Sequence, residues 1–200
     1  MITIHNVDET VLFYGSLGAV RKEIGNCTLF TFFDKTSHVR FWGDLYGFCV
    51  ASVDVVFPED MMIRSQIHQR YIGISFTEEG QMVSYNRKSE MRESHIGIDC
   101  YVFNSPVPLF MKITGGQRLR FQGMYFQESF FHENNISLYD SFWEDLKRSL
   151  ACNEIHSPEL FSIYQRIEKC PLTGEAFRLW MRGQGLAAAG HLLDFTQRYT

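Results

Sequence analysis

The hydrophobic and polar positions of this chain change their period once, near residue 136. Before about residue 130 they fall into short runs rich in β-branched and aromatic residues, bounded by Gly, Asn, Asp or Pro: "TIHNV", "GAVRKEIG", "CTLFTFF", "YGFCVASVDVVF", "RYIGISFT", "HIGIDCYVF", "LFMKIT" and "RLRFQGMYFQ". Runs of this kind read as strands. Alternation is clearest in the last, where Leu119, Phe121 and Tyr125 share one face and Arg118, Arg120 and Gln122 the other. Many strands at such spacing, with no long helix between them, predict an antiparallel sandwich or barrel rather than a parallel sheet.

After residue 136 apolar residues recur every three to four positions. Leu138, Phe142, Leu146 and Leu150, with Trp143 beside them, predict a first helix, and Ser137 stands three before Asp140 as a capping pair. "SPELFSIYQRIEKC" predicts a second, with Ser157 at the N-cap, Pro158 at the first helical position and Leu160, Tyr164 and Ile167 on one side. Pro171 forces a break, and Thr173 is placed to cap a third helix reaching toward Arg198. In that helix Leu179, Gly183, Leu186, Gly190 and Leu193 alternate in steps of four and three, a leucine seam interleaved with glycine that would let another helix come close. A second stripe, Phe177, Trp180, Met181, Ala188, Leu192 and Phe195, occupies another side, which predicts a helix buried between two neighbours. Each central glycine weakens a helix by about 1 kcal/mol relative to alanine, so the three at 183, 185 and 190 require a reason.

Composition narrows the functions. The chain carries a formal net charge of -4, which argues against nucleic-acid binding by these residues themselves, since phosphate neutralisation needs a clustered basic surface. With 18 Phe, 9 Tyr and 3 Trp it can furnish both a packed interior and an apolar pocket. Its five cysteines, Cys27, Cys49, Cys100, Cys152 and Cys170, are widely spaced and include no CxxC, so neither a disulfide framework nor a zinc site is expected. No run approaches the roughly 20 apolar residues of a membrane span, and a cytoplasmic location is expected.

"SPELFSIYQRIEKCPLTGEAFRLWMRGQGLAAAGHLL" resembles the C-terminal part of the effector-binding domain of AraC/XylS-type bacterial transcription regulators, in particular their PchR-like branch. There a short helix ends in a pattern close to "I..CP..G" and "R.LYL..KALELL" follows on a longer one. Ile167, Cys170, Pro171, Gly174, Arg178, Leu179 and Leu186 match it, whereas Gly183 and Gly185 depart from the usual charged and alanine-like residues. "FMKITGGQRLRFQGMYFQESFF" is similar to the same branch, so the resemblance covers roughly residues 105 to 195. It implies an α+β fold: a cupin-like antiparallel β-barrel or jelly roll over 1–135, then a helical dimerisation and linker region of about three helices over 136–200 packed on the barrel. It also implies a small-molecule effector, a homodimer, and DNA contact only through a helix-turn-helix domain outside these 200 residues.

A cupin-like barrel raises the question of a metal. Metal cupins gather HxH, a nearby Glu and a third His, because the ion needs several ligands converging from adjacent strands. None of His5, His38, His68, His95, His132, His156 and His191 lies within two residues of another, and no metal or other cofactor is expected. No G-x-S-x-G is present, "YIGISF" only grazing it, and Gly115-Gly116 and the "TEEGQM" run with Glu78 and Glu79 read as turns. A non-enzymatic sensor is therefore the leading expectation, ahead of a cupin-type metalloenzyme or sugar-binding barrel and of a pure dimerisation module. Trp42, Phe48, Tyr71 and Tyr85 are candidate rings to stack on an effector, and Arg118 and Arg120 candidate bidentate partners for an anionic group on it.

Overall fold

The computed structural model describes residues 2–4, 7–66, 70–85, 91–93, 96–103, 108–138, 141–152 and 157–199. It begins with β1 (Ile2–Ile4), α1 (Val7–Ser16), β2 (Val20–Ile24), β3 (Cys27–Thr31), β4 (His38–Gly43), β5 (Phe48–Val56) and β6 (Met61–Ser65). β7 (Tyr71–Glu79), β8 (Met82–Tyr85), β9 (Met91–Glu93), β10 (Gly97–Phe103), β11 (Leu109–Ile113) and β12 (Arg118–Gln127) complete the strands. The chain ends in α2 (Glu128–Glu133), α3 (Phe142–Cys152), α4 (Pro158–Glu168) and α5 (Gly174–Arg198).

Strands assemble as a five-stranded sheet, β1-β6-β11-β8-β9, and a seven-stranded sheet, β10-β7-β12-β5-β4-β3-β2. Among the described residues every pairing is antiparallel except the three-residue β1–β6 contact. The α+β class and the antiparallel container are those the sequence predicts. Among the described residues no strand pairing joins the two sheets, so the container is a sandwich rather than a closed barrel.

The central strands of the larger sheet are covered on both faces, which explains the nearly continuous apolar run of β5. Its odd-numbered Val53 and Val55, with Leu119 of β12, meet Ile63 and Ile113 of the smaller sheet in the inter-sheet core. Its even-numbered Phe48 and Val50, with Ile72, Ile74, Met124 and Phe126 of β7 and β12, meet the helices. Phe142, Trp143 and Leu146 of α3, Leu160 and Ile163 of α4, and Phe177, Met181 and Leu192 of α5 fill that second core. Fully burying one such side chain stabilises by about 1.5–3 kcal/mol, so the helical layer is an integral part of the fold.

Several local expectations change. The three helices expected after residue 136 are present as α3, α4 and α5; α1 and α2 are two further helices within the region read as the β-container. Asp140 of the expected capping pair lies outside the described residues; at the start of α3, Ser141 Oγ hydrogen-bonds Asp145 Oδ2 at 2.7 Å. Ser157 caps α4 as read, accepting the Leu160 N–H at 3.4 Å, with Pro158 opening the helix. Thr173 occupies the N-cap of α5 but makes no side-chain cap bond. Asn26, from the β2–β3 turn, does so instead: its Oδ1 accepts the Gly174 N–H at 3.2 Å, and its Nδ2 donates to the Leu172 carbonyl at 2.5 Å. Gly115-Gly116 joins β11 of one sheet to β12 of the other, so it is a crossover and not a hairpin turn; Gly116 takes φ +73°, which glycine tolerates without strain.

Candidate functional site

Gly73 and Gly123 stand mid-strand in neighbouring strands of the larger sheet, on the face toward the smaller one. Their register builds a row across four strands, Tyr101–Gly73–Tyr125–Cys49, and beside it a second, Ser75–Gly123–Ala51–Phe41. Glycine inside a strand marks a close approach. A Cβ at Gly73 would run into the Tyr101 ring, and one at Gly123 would come within 2.5 Å of Tyr125 Oη. The small residues thus form a pavement on which two tyrosine rings lie.

Two more tyrosines converge there. Tyr71 crosses Tyr101 edge-on, with ring centres 6.4 Å apart, and hydrogen-bonds Ser65 of the opposite sheet. Tyr14, carried by α1, stacks among Phe30 and Phe41 at 5.7 and 5.9 Å and lies close enough to Tyr125 for their charges to interact. The hydroxyls of Tyr125 and Tyr101 hydrogen-bond each other.

Burial raises the phenols of Tyr14, Tyr71 and Tyr125 above the ordinary tyrosine value, and burial with the nearby Asp44 charge pushes the Cys49 thiol up to about 12. At neutral pH this end of the interior therefore offers O–H donors and a neutral thiol, with no phenolate or thiolate.

The inter-sheet space is not uniform. Val39, Val53, Val55, Phe57, Ile63, Ile113 and Leu119 are buried together in one cluster. Tyr101, Tyr125, Ser75, Phe41, Phe121 and Met111 are only half-buried, so solvent reaches the tyrosine end. An apolar wall with a few convergent polar groups is the usual make-up of a small-molecule site.

The sequence-predicted residues do not gather here. Tyr71 does belong to this end. Trp42 and Phe48, 7% and 4% exposed, lie on the opposite face in the helix-side core, where Phe48 packs on Phe126 and Phe130. Arg118 is held by Asp54 through a two-pronged ion pair of 2.7 and 2.8 Å, and Arg120 by Glu78 at 2.8 Å, both on the exposed half of that opposite face. Tyr85 ends β8, and its side chain lies outside the described residues. Tyr14, Tyr101 and Tyr125 were missed; the signal was the period-two spacing of "YIGIS" and "QGMY", which sets each small residue on the same face as a tyrosine. Among the described residues no group of three or more His, Cys, Asp or Glu could hold a metal ion; His5, His68, His95 and His156 lie outside them.

The seam residues sit on the other side of α5. Leu179 is 73% exposed, Leu186 39%, and Gly183 and Gly190 have no neighbouring atom within 4 Å of a built Cβ. Leu193 is half-buried against the helix-side core. The helix is therefore buried on the side that packs on the sheet, α3 and α4, and its seam lies mostly on solvent in a single chain. Gly185 faces inward: a Cβ there would lie 2.8 Å from the tip of Phe130 and 2.9 Å from the Phe48 ring.

No helix among the described residues is long and apolar enough to cross a membrane. No curated protein matches this chain. Solved structures similar to it include an HTH_3-family transcriptional regulator from Vibrio cholerae, at 16% identity over 46% of this chain and 52% of that one, TM-score 0.34. Others are the cupin domain of an XRE-family transcriptional regulator from Enterobacter cloacae (14% identity, 46% and 96% covered, TM-score 0.34) and a cupin conserved-barrel protein from Salinispora arenicola (11%, 48% and 81%, 0.35). This chain spans about half the length of the Vibrio cholerae regulator, and overlays this loose add nothing to the topology above. The family model described as the regulatory protein PchR N-terminal domain matches residues 46–199, which include β5, β7 and β12 and the whole helical layer. The protein belongs to the PchR N-terminal regulatory domain family.

Proposed function

We propose that this regulatory domain is a non-enzymatic, cytoplasmic sensor that binds a small molecule at the tyrosine-lined end of its sandwich and reports occupancy through α5. The observation that carries the reading is the alternation of β5 and β12 beneath the site. Cys49 and Tyr125 face the interior, while their neighbours Phe48, Met124 and Phe126 face the helices. Phe48 in turn presses on the backbone of α5 at Gly185. A ligand that displaces Tyr125 shifts the strand pair carrying Phe48 and Phe126, and the close Gly185 contact leaves α5 no slack to absorb the shift. The equilibrium moves only by the ligand's difference in affinity for the two arrangements.

The outer face of α5 receives the signal. Leu179, Gly183, Leu186, Gly190 and Leu193 repeat in steps of four and three, the spacing of a helix seam, and lie mostly on solvent in a single chain. On this reading they pair with the same helix of a second copy, and the pairing positions DNA-binding units of an AraC-type regulator. Gly190→Leu is expected to turn a dimer into a monomer in sedimentation; an unchanged sedimentation coefficient contradicts the seam. For the sensor, Ser75→Phe fills the accessible end of the pavement. In a regulator carrying this domain it is expected to abolish the response to inducer while leaving the domain folded by circular dichroism; an unaltered response contradicts the site.

A further inference from the structure

A recess of about 360 Å³ lies outside the sandwich, in the elbow where α4 ends and α5 begins. Gln165, Arg166 and Lys169 from the last turns of α4 form one wall, Pro171 and Leu172 of the connecting loop another, and Trp180 of α5 lines it between them. The loop wall is built rather than loose: the Asn26 side chain holds it at both Leu172 O and Gly174 N. Trp180 is stacked on Phe177, with ring centres 6.2 Å apart and planes 30° from parallel. Ion pairing of Glu168 with Arg40, at 3.6 Å, ties the end of α4 to β4.

The charge here is unusual for this chain. Every other arginine whose side chain is described has a carboxylate, amide or carbonyl partner. Arg166 has none among the described residues; Lys169, three positions on, has none either, as is true of the other described lysines. Two unpaired cations thus stand beside an apolar wall in a protein whose net charge is -4. A guanidinium without a carboxylate offers its planar fork to an anion, and an indole face offers stacking to a flat ring.

We propose that the α4–α5 elbow is a second ligand site, taking a small planar aromatic carboxylate with its ring against Trp180 and its charge between Arg166 and Lys169. The site is separate from the tyrosine end of the sandwich, since it lies beyond the helix-side core, and it stands or falls independently of the reading above.

The test uses 2-naphthoate and its uncharged counterpart 2-naphthalenemethanol on the whole chain, followed by the indole N–H signals in ¹H–¹⁵N spectra. Trp42, Trp143 and Trp180 give three such signals, and Trp180→Phe assigns the relevant one. Naphthoate is expected to move the Trp180 signal with a Kd on the order of 1 mM, the strength a ligand of this size reaches in an open site. The Arg166→Gln/Lys169→Gln variant and the neutral alcohol should each bind at least about tenfold more weakly, a difference of about 1.4 kcal/mol. Both replaced residues are exposed, so the variant's fold is not at issue. Equal binding of the alcohol, unchanged binding by the double variant, shifts at Trp42 or Trp143 instead, or no movement of Trp180 at all would each overturn the proposal.

Discussion

Alanine in place of Gly183 should stabilise this domain and alanine in place of Gly185 should not, although the residues are two apart in one helix. Both substitutions gain the same intrinsic helix preference, about 1 kcal/mol. At Gly183 nothing lies within 4 Å of the added methyl, so the gain stands alone. In a domain of this size it corresponds to a rise in Tm of about 2–4 °C. At Gly185 the methyl meets Phe130 at 2.8 Å and Phe48 at 2.9 Å, both rings fixed in the helix-side core. Overpacking of that kind costs about 1–3 kcal/mol. Because the helix-preference gain is common to both variants, their difference isolates the steric cost, and Gly185→Ala should fall about 1–3 kcal/mol below Gly183→Ala. Urea unfolding followed by circular dichroism, at a protein concentration low enough to keep the chain monomeric, measures that difference directly. Equal stability of the two variants would refute the account of how α5 rests on the sheet.

Other consequences follow from buried groups and from the cap. Because burial raises the folded-state values of Tyr14, Tyr71 and Tyr125 above the unfolded value of 10.0, their contribution is complete below about pH 10 and is lost as pH rises beyond it. Three such groups give a slope of at most about 4 kcal/mol per pH unit, about 1.4 kcal/mol each, visible as a falling urea midpoint; phenols of the folded protein that titrate at their ordinary value would contradict it. The Cys49 thiol acts in the same sense from about pH 9, since its folded value is pushed up to about 12. Asn26→Ala removes the side chain that caps α5 and should cost about 1 kcal/mol. It should also speed amide exchange in the first turn of α5, and unchanged exchange there would show that the cap is supplied otherwise.

What the sequence made legible was local. Strands β2, β3, β5, β7, β10, β11 and β12 and the amphipathic helices α3 and α4, the latter capped by Ser157, follow from residue type and spacing, whereas β4, β6, β8 and β9 were not read from the sequence. α1 escaped because its central "TVLFYG" keeps β-branched and aromatic residues together, as a strand would. α2 is six residues long, and Gln127 before it makes no capping bond that could announce it. The candidate site was harder for a different reason. The central strands of the larger sheet are buried on both faces, so an aromatic residue says nothing about which face it serves. Trp42 and Phe48 turned out to line the helix side, and Arg118 and Arg120 to be neutralised by acids on strands 64 and 42 positions away in the chain. Only long-range pairing brings Gly73 beside Tyr101 and Tyr125, which is why the pavement could not be read until the strands were aligned.

The tyrosine end of the sandwich as the place where a small molecule binds is tested most directly by ¹⁹F spectra of the domain labelled with 3-fluorotyrosine. The ligand would be the host-cell metabolite fraction that raises its Tm, and single Tyr→Phe variants would assign the signals. The resonances of Tyr71, Tyr101 and Tyr125 are expected to shift together, while those of Tyr46 and Tyr199, both exposed, stay in place. A fraction that stabilises the domain yet leaves the three interior resonances unmoved would contradict the claim.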